Sequence, residues 1–384
     1  MNVNAHLHTP YSFSAFENLT DALEQAVSEN VKVVGINDFN TTAGYKEWHD
    51  EALKRHLFPL FNIEMISLQE EDQSAGIRVN DPNNPGRTYL SGKGLRYPAY
   101  IPEPYATLLS NVRAESNNQS KQMCRKLNDL PELRLAGIQL DFDRILTNLT
   151  KGAVRERHLA KALRLEVYRH LDEEPKAIAD FFQTLFSEKT LKADVANHAA
   201  VENEIRGNLL KSGGRAFIPE DPKTFLPFAT VCEIIRAAGG IPTYPFLADD
   251  ANGEFTDFER DIEKAACLLK QRGIFAVEFI TPRNSIETLE QYAGYLHDNG
   301  FVVTLGSEHN TPAPEPILLF ARGKTPLTDH LKQINYEGAC VIAAHQERIH
   351  TGKQGYMCCA GGEYATHREK LIDEGGKMIR KIVQ

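Results

Sequence analysis

The sequence predicts an α/β barrel that carries a mainly helical insertion, and three observations lead there. Apolar runs of strand length alternate with helix-length amphipathic segments near both ends of the chain. The polar residues able to do chemistry fall just after those apolar runs, where the active-site rim of an α/β barrel lies. Between the two alternating regions, from about Pro104 to Leu210, the sequence turns charged and helical.

Val3–His8 is the first strand and runs into a polar loop, HTPYSFSAF. Asn18–Val27 (NLTDALEQAV) spaces its apolar residues as a helix does, with Asn18 or Thr20 as cap. Val31–Ile36 (VKVVGI) is an unbroken apolar run, the mark of a buried parallel strand, and polar Asn37 and Asp38 follow it at once. Ala43–Arg55 is helix-like, and Leu57–Ile63 (LFPLFNI) is a third strand with Glu64 at its end. Asp81–Gly94 (DPNNPGRTYLSGKG) is rich in turn formers. Alternation resumes with a helix at Ala229–Ala238 and a strand at Gly240–Pro245, then a helix at Asp257–Arg272 and a strand at Phe275–Ile280. Ser285–Asn299 is a helix and Phe301–Leu305 (FVVTL) a strand that ends in Gly306-Ser307-Glu308-His309-Asn310. The tail after Gly352 is turn-rich and then helical. The expected division is a barrel of residues 1–68 and 211–384 with an insertion at 69–210.

Composition narrows the function. Asp and Glu number 52 against 43 Lys and Arg, a net charge of −9 over 384 residues. Such a chain is a poor partner for nucleic-acid polymers, whose binding comes mostly from neutralised phosphates. No apolar run approaches the ~18 residues of a membrane span, and the N-terminus lacks the basic-then-apolar pattern of a secretory signal. Six cysteines, with no CxxC and with Cys358 adjacent to Cys359, read as reduced and mostly buried thiols. The expectation is a cytoplasmic protein without membrane contact.

The chemistry gathers at four strand ends. In His6-x-His8 the two side chains lie on one side of a pleat, so both rings can reach one divalent ion at ~2.0–2.1 Å from nitrogen. Glu64 ends a hydrophobic strand with no basic neighbour in sequence. Glu308 and His309 form a second acid–imidazole pair. Asp38 could ligate a metal directly or orient a ligand histidine.

The segments VNAHLHTPYS, GINDFN, FNIE and TLGSEHNTP resemble, in order, the motifs of the PHP family, named for polymerase and histidinol phosphatase. Val154–Leu163 (VRERHLAKAL) resembles the RxH-containing helix of its phosphoesterase-like members, and Arg215–Ile241 resembles the stretch before their next strand. The resemblance implies a distorted (β/α)7 TIM-like barrel with up to three zinc, manganese or iron ions that hydrolyses phosphoesters. It implies that His6, His8, Glu64 and Glu308 bind the first metal. Several positions depart from the family pattern. Phe39 stands for the histidine of TDH, Tyr244 or Phe246 for that of AHP, and Tyr89 for the histidine that follows Glu64. His198 could restore one ligand. One or two divalent ions are therefore expected rather than three.

The expected activity is metal-dependent hydrolysis of a small phosphorylated molecule through a metal-activated water. His309 would be the general acid and Asp38 a second catalytic group, and Arg155, Arg157 and Lys93 would bind phosphate. The alternatives are a scaffold with a reduced metal site that binds a sugar or phosphate ligand without phosphoesterase activity, and a hydrolase of a different bond.

Overall fold

The structure is a computed structural model that describes residues 1–356 and 364–384, the side chains of 364–366 excepted. The Cys358–Cys359 pair lies outside the described residues. Cys124, Cys232 and Cys340 are buried free thiols and Cys267 is an exposed one.

Seven strands form a nearly closed barrel. They are β1 (Asn2–Leu7), β2 (Val31–Phe39), β3 (Phe58–Leu68), β4 (Arg87–Lys93), β6 (Ile241–Phe246), β7 (Ala276–Ile280) and β8 (Val302–Gly306), hydrogen-bonded in that order. A two-residue β5 (Leu226–Pro227) adds to the end of β3. All neighbours run parallel except at β4, which is antiparallel to both β3 and β6. The α/β barrel expectation therefore holds with seven strands, but β4 reverses one step of the βα alternation.

That strand comes from the stretch that reads as turns, and it falls inside the range expected to be insertion. Its residues RTYLSGK carry no long apolar run, because the strand is paired on both sides and turns Ser91 and Lys93 into the barrel interior. β4 also prolongs β3, so Glu64 sits mid-strand rather than at the strand's end.

The strand pattern explains the layers. Alternate residues of the apolar strands, such as Leu7, Ile36, Phe61 and Phe279, pack outward against surrounding helices through Leu23, Trp48 and Leu296. The N-terminal ends of the parallel strands, from Val3 and Val33 to Ile241, Ala276 and Val302, bury against helices Asp329–His350 and Tyr364–Val383. That end of the barrel is closed, which leaves the C-terminal ends open for a site.

β1 and β8 meet through one isolated bridge, Leu7 to Glu308. Elsewhere Asn335 of helix Asp329–His350 spans the seam. It accepts from Leu305 N–H at 2.8 Å and donates to Val3 C=O at 3.0 Å. Gly338 of the same helix lies against the Val303 carbonyl, where any β-carbon would collide, so the helix can approach β8 closely enough for Asn335 to reach.

Residues 105–210 fold mainly as helices: Tyr105–Asn128, Pro131–Ala136, Phe142–Asn148, Glu156–His170, Pro175–Leu185 and His198–Ile205, with a π-helical turn at Arg206–Leu210. They bury a hydrophobic cluster separate from the barrel's, centred on Leu127, Leu159, Leu163, Phe182 and Leu209. Among the described residues, no helix is long and apolar enough to cross a membrane.

Candidate metal centre and its cavity

His6 is the penultimate residue of β1 and His8 follows the strand. Leu7 between them faces the outer core, so both imidazoles turn into the barrel. Their Nε2 atoms lie 3.3 Å apart. Glu64 of β3 brings its Oε2 to 3.1 Å from His8 Nε2 and 3.9 Å from His6 Nε2. A tetrahedral shell at ~2.0–2.1 Å has ligand–ligand edges of about 3.3–3.4 Å, so these separations suit one small cation. Among the described residues this is the only group of three such side chains close enough to share an ion.

The partners of the other ring nitrogens decide what faces the centre. His6 Nδ1 is 3.0 Å from Glu278 Oε2, so it carries the proton and donates. Ser12 Oγ donates to Asp38 Oδ1 at 2.6 Å and therefore accepts from His8 Nδ1 at 3.1 Å. Both Nε2 atoms then carry lone pairs, and Asn37 Nδ2 lies 3.1 Å from that of His6. They face a carboxylate oxygen, Glu64 Oε2, that is buried and has no hydrogen-bond partner. His8 Nε2 and an ionised Glu64 have no protein donor between them, an arrangement that is costly unless a proton or a cation joins them. The residues fit a divalent metal on that ground.

The electrostatics agree. Burial pushes the Glu64 carboxyl up to about 8, with Glu308 and Glu278 adding to the effect and His6 opposing it. Burial lowers His8, which keeps it the neutral imidazole a metal requires. Glu278 behaves oppositely. Burial alone would raise it, but Lys93 at 2.6 Å and His6 hold it well below the usual carboxylate range.

The other expected site residues divide. Asp38 is near but does not face the centre. Its oxygens take Thr9 N–H at 2.7 Å, Thr9 Oγ1 at 2.5 Å and Ser12, so it sets His8 through Ser12. Glu308 lies at the cavity's edge in an ion pair with Arg283 at 2.6 Å, which holds its carboxyl low against burial, and accepts from Asn310 at 2.7 Å. The backbone of Glu308 and His309 is left-handed, with φ of 64° and 61°. It is these residues, not Gly306, that adopt the strained turn. Gly306 serves instead as a close-approach point, since a β-carbon there would strike His6.

Three expectations are corrected. His309 turns away from the centre. Ser307 Oγ and the Glu315 carbonyl, each at 2.9 Å, occupy its two nitrogens, and its ring stacks on Phe16. His198 is exposed at the start of helix His198–Ile205, edge-on to Tyr168, and contributes nothing to the centre. Lys93 is fully buried inside the barrel, bound to Glu278 and to the Ala5 carbonyl at 3.1 Å, and does not line the cavity where phosphate would bind.

Arg155 and Arg157 do reach the site. A cavity of about 430 Å³ lies between the strand ends and the helical segment, and Glu64, Phe39, Glu308, Arg155 and Arg157 all line it. Most cations in its wall are neutralised: Arg87 by Glu220 at 2.7 Å, and Arg206 and Lys211 by Glu156 at 3.1 and 3.2 Å. Arg155 and Arg157 have no carboxylate within ion-pairing distance among the described residues. Arg155 lies over the Phe39 ring, and Arg157 lies near Phe13 and donates to Asn203 at 3.0 Å. Burial together with Arg206 and Arg155 pulls Arg157 down to about 10, the state of a cation short of negative charge.

Sequence reasoning missed Glu278, Ser91, Ser12 and Arg283. Glu278 sits in the apolar strand AVEFI, and a charged residue inside such a run is the one signal that could have found it.

No protein-family profile matches the chain, and no curated protein matches it in sequence. Solved structures match its fold. One is a protein from Bifidobacterium adolescentis assigned as a metal-dependent phosphoesterase. The TM-score is 0.52 at 18% identity, over 86% of this chain and 94% of that one. Another is an amidohydrolase from Chromobacterium violaceum whose structure holds sulfate and no metal. There the TM-score is 0.52 at 15% identity, over 87% of this chain and 97% of that one.

Proposed function

We propose that the protein is a metal-dependent phosphoesterase acting on a small phosphorylated molecule. The observation that carries the reading is a juxtaposition. The cluster of His6, His8 and Glu64 meets, through Glu64, a cavity whose wall also offers two arginines without carboxylate partners. His6, His8 and Glu64 would hold the ion, and Glu308 would approach it only by leaving Arg283. A divalent cation supplies Lewis-acid polarisation of a phosphoryl oxygen and acidifies bound water. The chain's own residues do the rest. Arg155 and Arg157 bind and orient the anionic group, and Ser12 and Glu278 keep His8 and His6 in the correct tautomers. The helical segment forms one wall of the cavity. A cavity of about 430 Å³ is the size of a small-molecule site, not of a polymer groove. Similarity in fold to proteins named as a metal-dependent phosphoesterase and an amidohydrolase supports a hydrolytic reading.

One observation favours a second reading, binding without turnover: His309, the expected leaving-group acid, is directed away from the cavity. A single experiment separates the possibilities. Protein reconstituted with zinc, manganese or iron is offered a panel of phosphomonoesters and a panel of amides. Phosphate release that needs the metal is the expected result. Turnover of amides alone moves the reading to another bond. Tight phosphate binding with no turnover establishes the second reading.

A further inference from the structure

We infer that Lys93 acts as a built-in counter-cation in place of a second metal ion, so that the centre is made for one divalent ion. The inference rests on the metal reading of His6, His8 and Glu64 and adds its stoichiometry.

A second ion needs carboxylate or imidazole lone pairs that protein donors have left free. Around this centre there are three further carboxylates, and each already receives protein donors. Asp38 is held by Thr9 and Ser12. Glu308 takes Arg283 and Asn310 on Oε2, so its charge is neutralised at the cavity's edge. Glu278 receives the Ser91 hydroxyl on Oε1, and on Oε2 both His6 Nδ1 at 3.0 Å and Lys93 Nζ at 2.6 Å.

Glu278 is the telling case. It is fully buried and lies one imidazole away from the proposed ion, since His6 touches it with one nitrogen and the centre with the other. A bare carboxylate there would draw in a second cation. Lys93 provides that positive charge from within the chain. Its stem rises from β4, and its ammonium is anchored by the Ala5 carbonyl of β1 at 3.1 Å. The reversed strand β4 is what aims a lysine into the barrel at this level.

Metal content tests the inference without using activity. The full chain is saturated with manganese, passed through a desalting column and measured by elemental analysis, and ions are located in crystals by anomalous scattering. The native protein is expected to hold one ion per chain, at His6, His8 and Glu64. Lys93→Ala, which removes the charge and opens space beside Glu278, is expected to hold two. A native chain with a second ion at Glu278 overturns the inference. A folded Lys93→Ala chain that stays at one ion overturns it as well. Should Lys93→Ala fail to fold, the native ion count still decides. A native chain with no ion anywhere defeats the metal reading itself, an outcome distinct from either of these.

Discussion

The guanidinium of Arg155 lies over the ring of Phe39, 4.4 Å from its centroid, and that ring is also stacked on the imidazole of His8 at 5.0 Å. An arginine from the helical segment is thereby placed beside the candidate metal centre. Phe39 supplies a platform instead of a ligand. Arg155→Lys should therefore weaken phosphate binding nearly as much as Arg155→Ala, because a lysine keeps the charge but loses the stacked fork. Arg157→Ala should cost about tenfold or more, the ~1.5–3 kcal/mol of a charge-assisted hydrogen bond. Calorimetric titration of the metal-loaded protein with inorganic phosphate measures both. Binding unchanged in either variant would remove that arginine from the site.

The three convergent acceptors make a prediction about metal alone. His6→Ala, His8→Ala and Glu64→Gln should each lower retained metal by about tenfold or more, since a structural shell needs its full set of ligands. Ser12→Ala should also loosen the ion, by ~10–100-fold at most, through release of the His8 tautomer. His198→Ala should leave metal content unchanged. Competition with a chelator of known affinity reports all five.

Acid should weaken the arginine-bearing helix before the barrel. His158 is buried, its Nδ1 accepts from Arg155 N–H at 3.0 Å, and burial with Arg155 and Lys161 nearby drops it to about 3. Its folded value lies below the ordinary ~6.5, so the unfolded chain binds the extra proton between the two. The stabilisation is complete above about pH 6.5 and is lost as pH falls toward 3, by up to about 1.4 kcal/mol per pH unit. His158→Gln can keep the capping bond without titrating. Melting curves from pH 7 to pH 4.5 should fall less steeply for that variant. His345, dropped to about 4 by burial, leaves part of the slope in place.

The barrel seam yields a stability prediction. Asn335→Ala strands the Leu305 N–H and the Val3 carbonyl, which are buried groups costing about 1–3 kcal/mol each when unpaired. Asn335→Asp can still accept from Leu305, yet it places a charge beside the Val3 carbonyl and should be worse than alanine. Denaturant titration ranks native, alanine and aspartate in that order. An alanine variant as stable as the native protein would show that the seam closes without the bridge.

Much of this architecture was legible in one dimension. Apolar runs followed by polar residues located six of the seven barrel strands within a few residues, and they put His6, His8, Asp38 and Glu308 at the open end. The two histidines of HLH converge because the pleat has period two, a local fact that spacing alone reveals. Tertiary structure decided the rest, for physical reasons. β4 has no apolar signature because its side chains face a polar interior, so only its pairing with β3 and β6 identifies it. His309 sits two residues from Ser307 and follows Glu308 directly, yet two successive left-handed residues turn it to the other side of the loop. Lys93 read as a loop cation until Glu278, 185 residues further on, came within 2.6 Å of it inside the barrel. Sequence determined which residues could bind a metal and an anion. Which of them lack a protein partner is a property of contacts between distant strands, and only the fold could decide it.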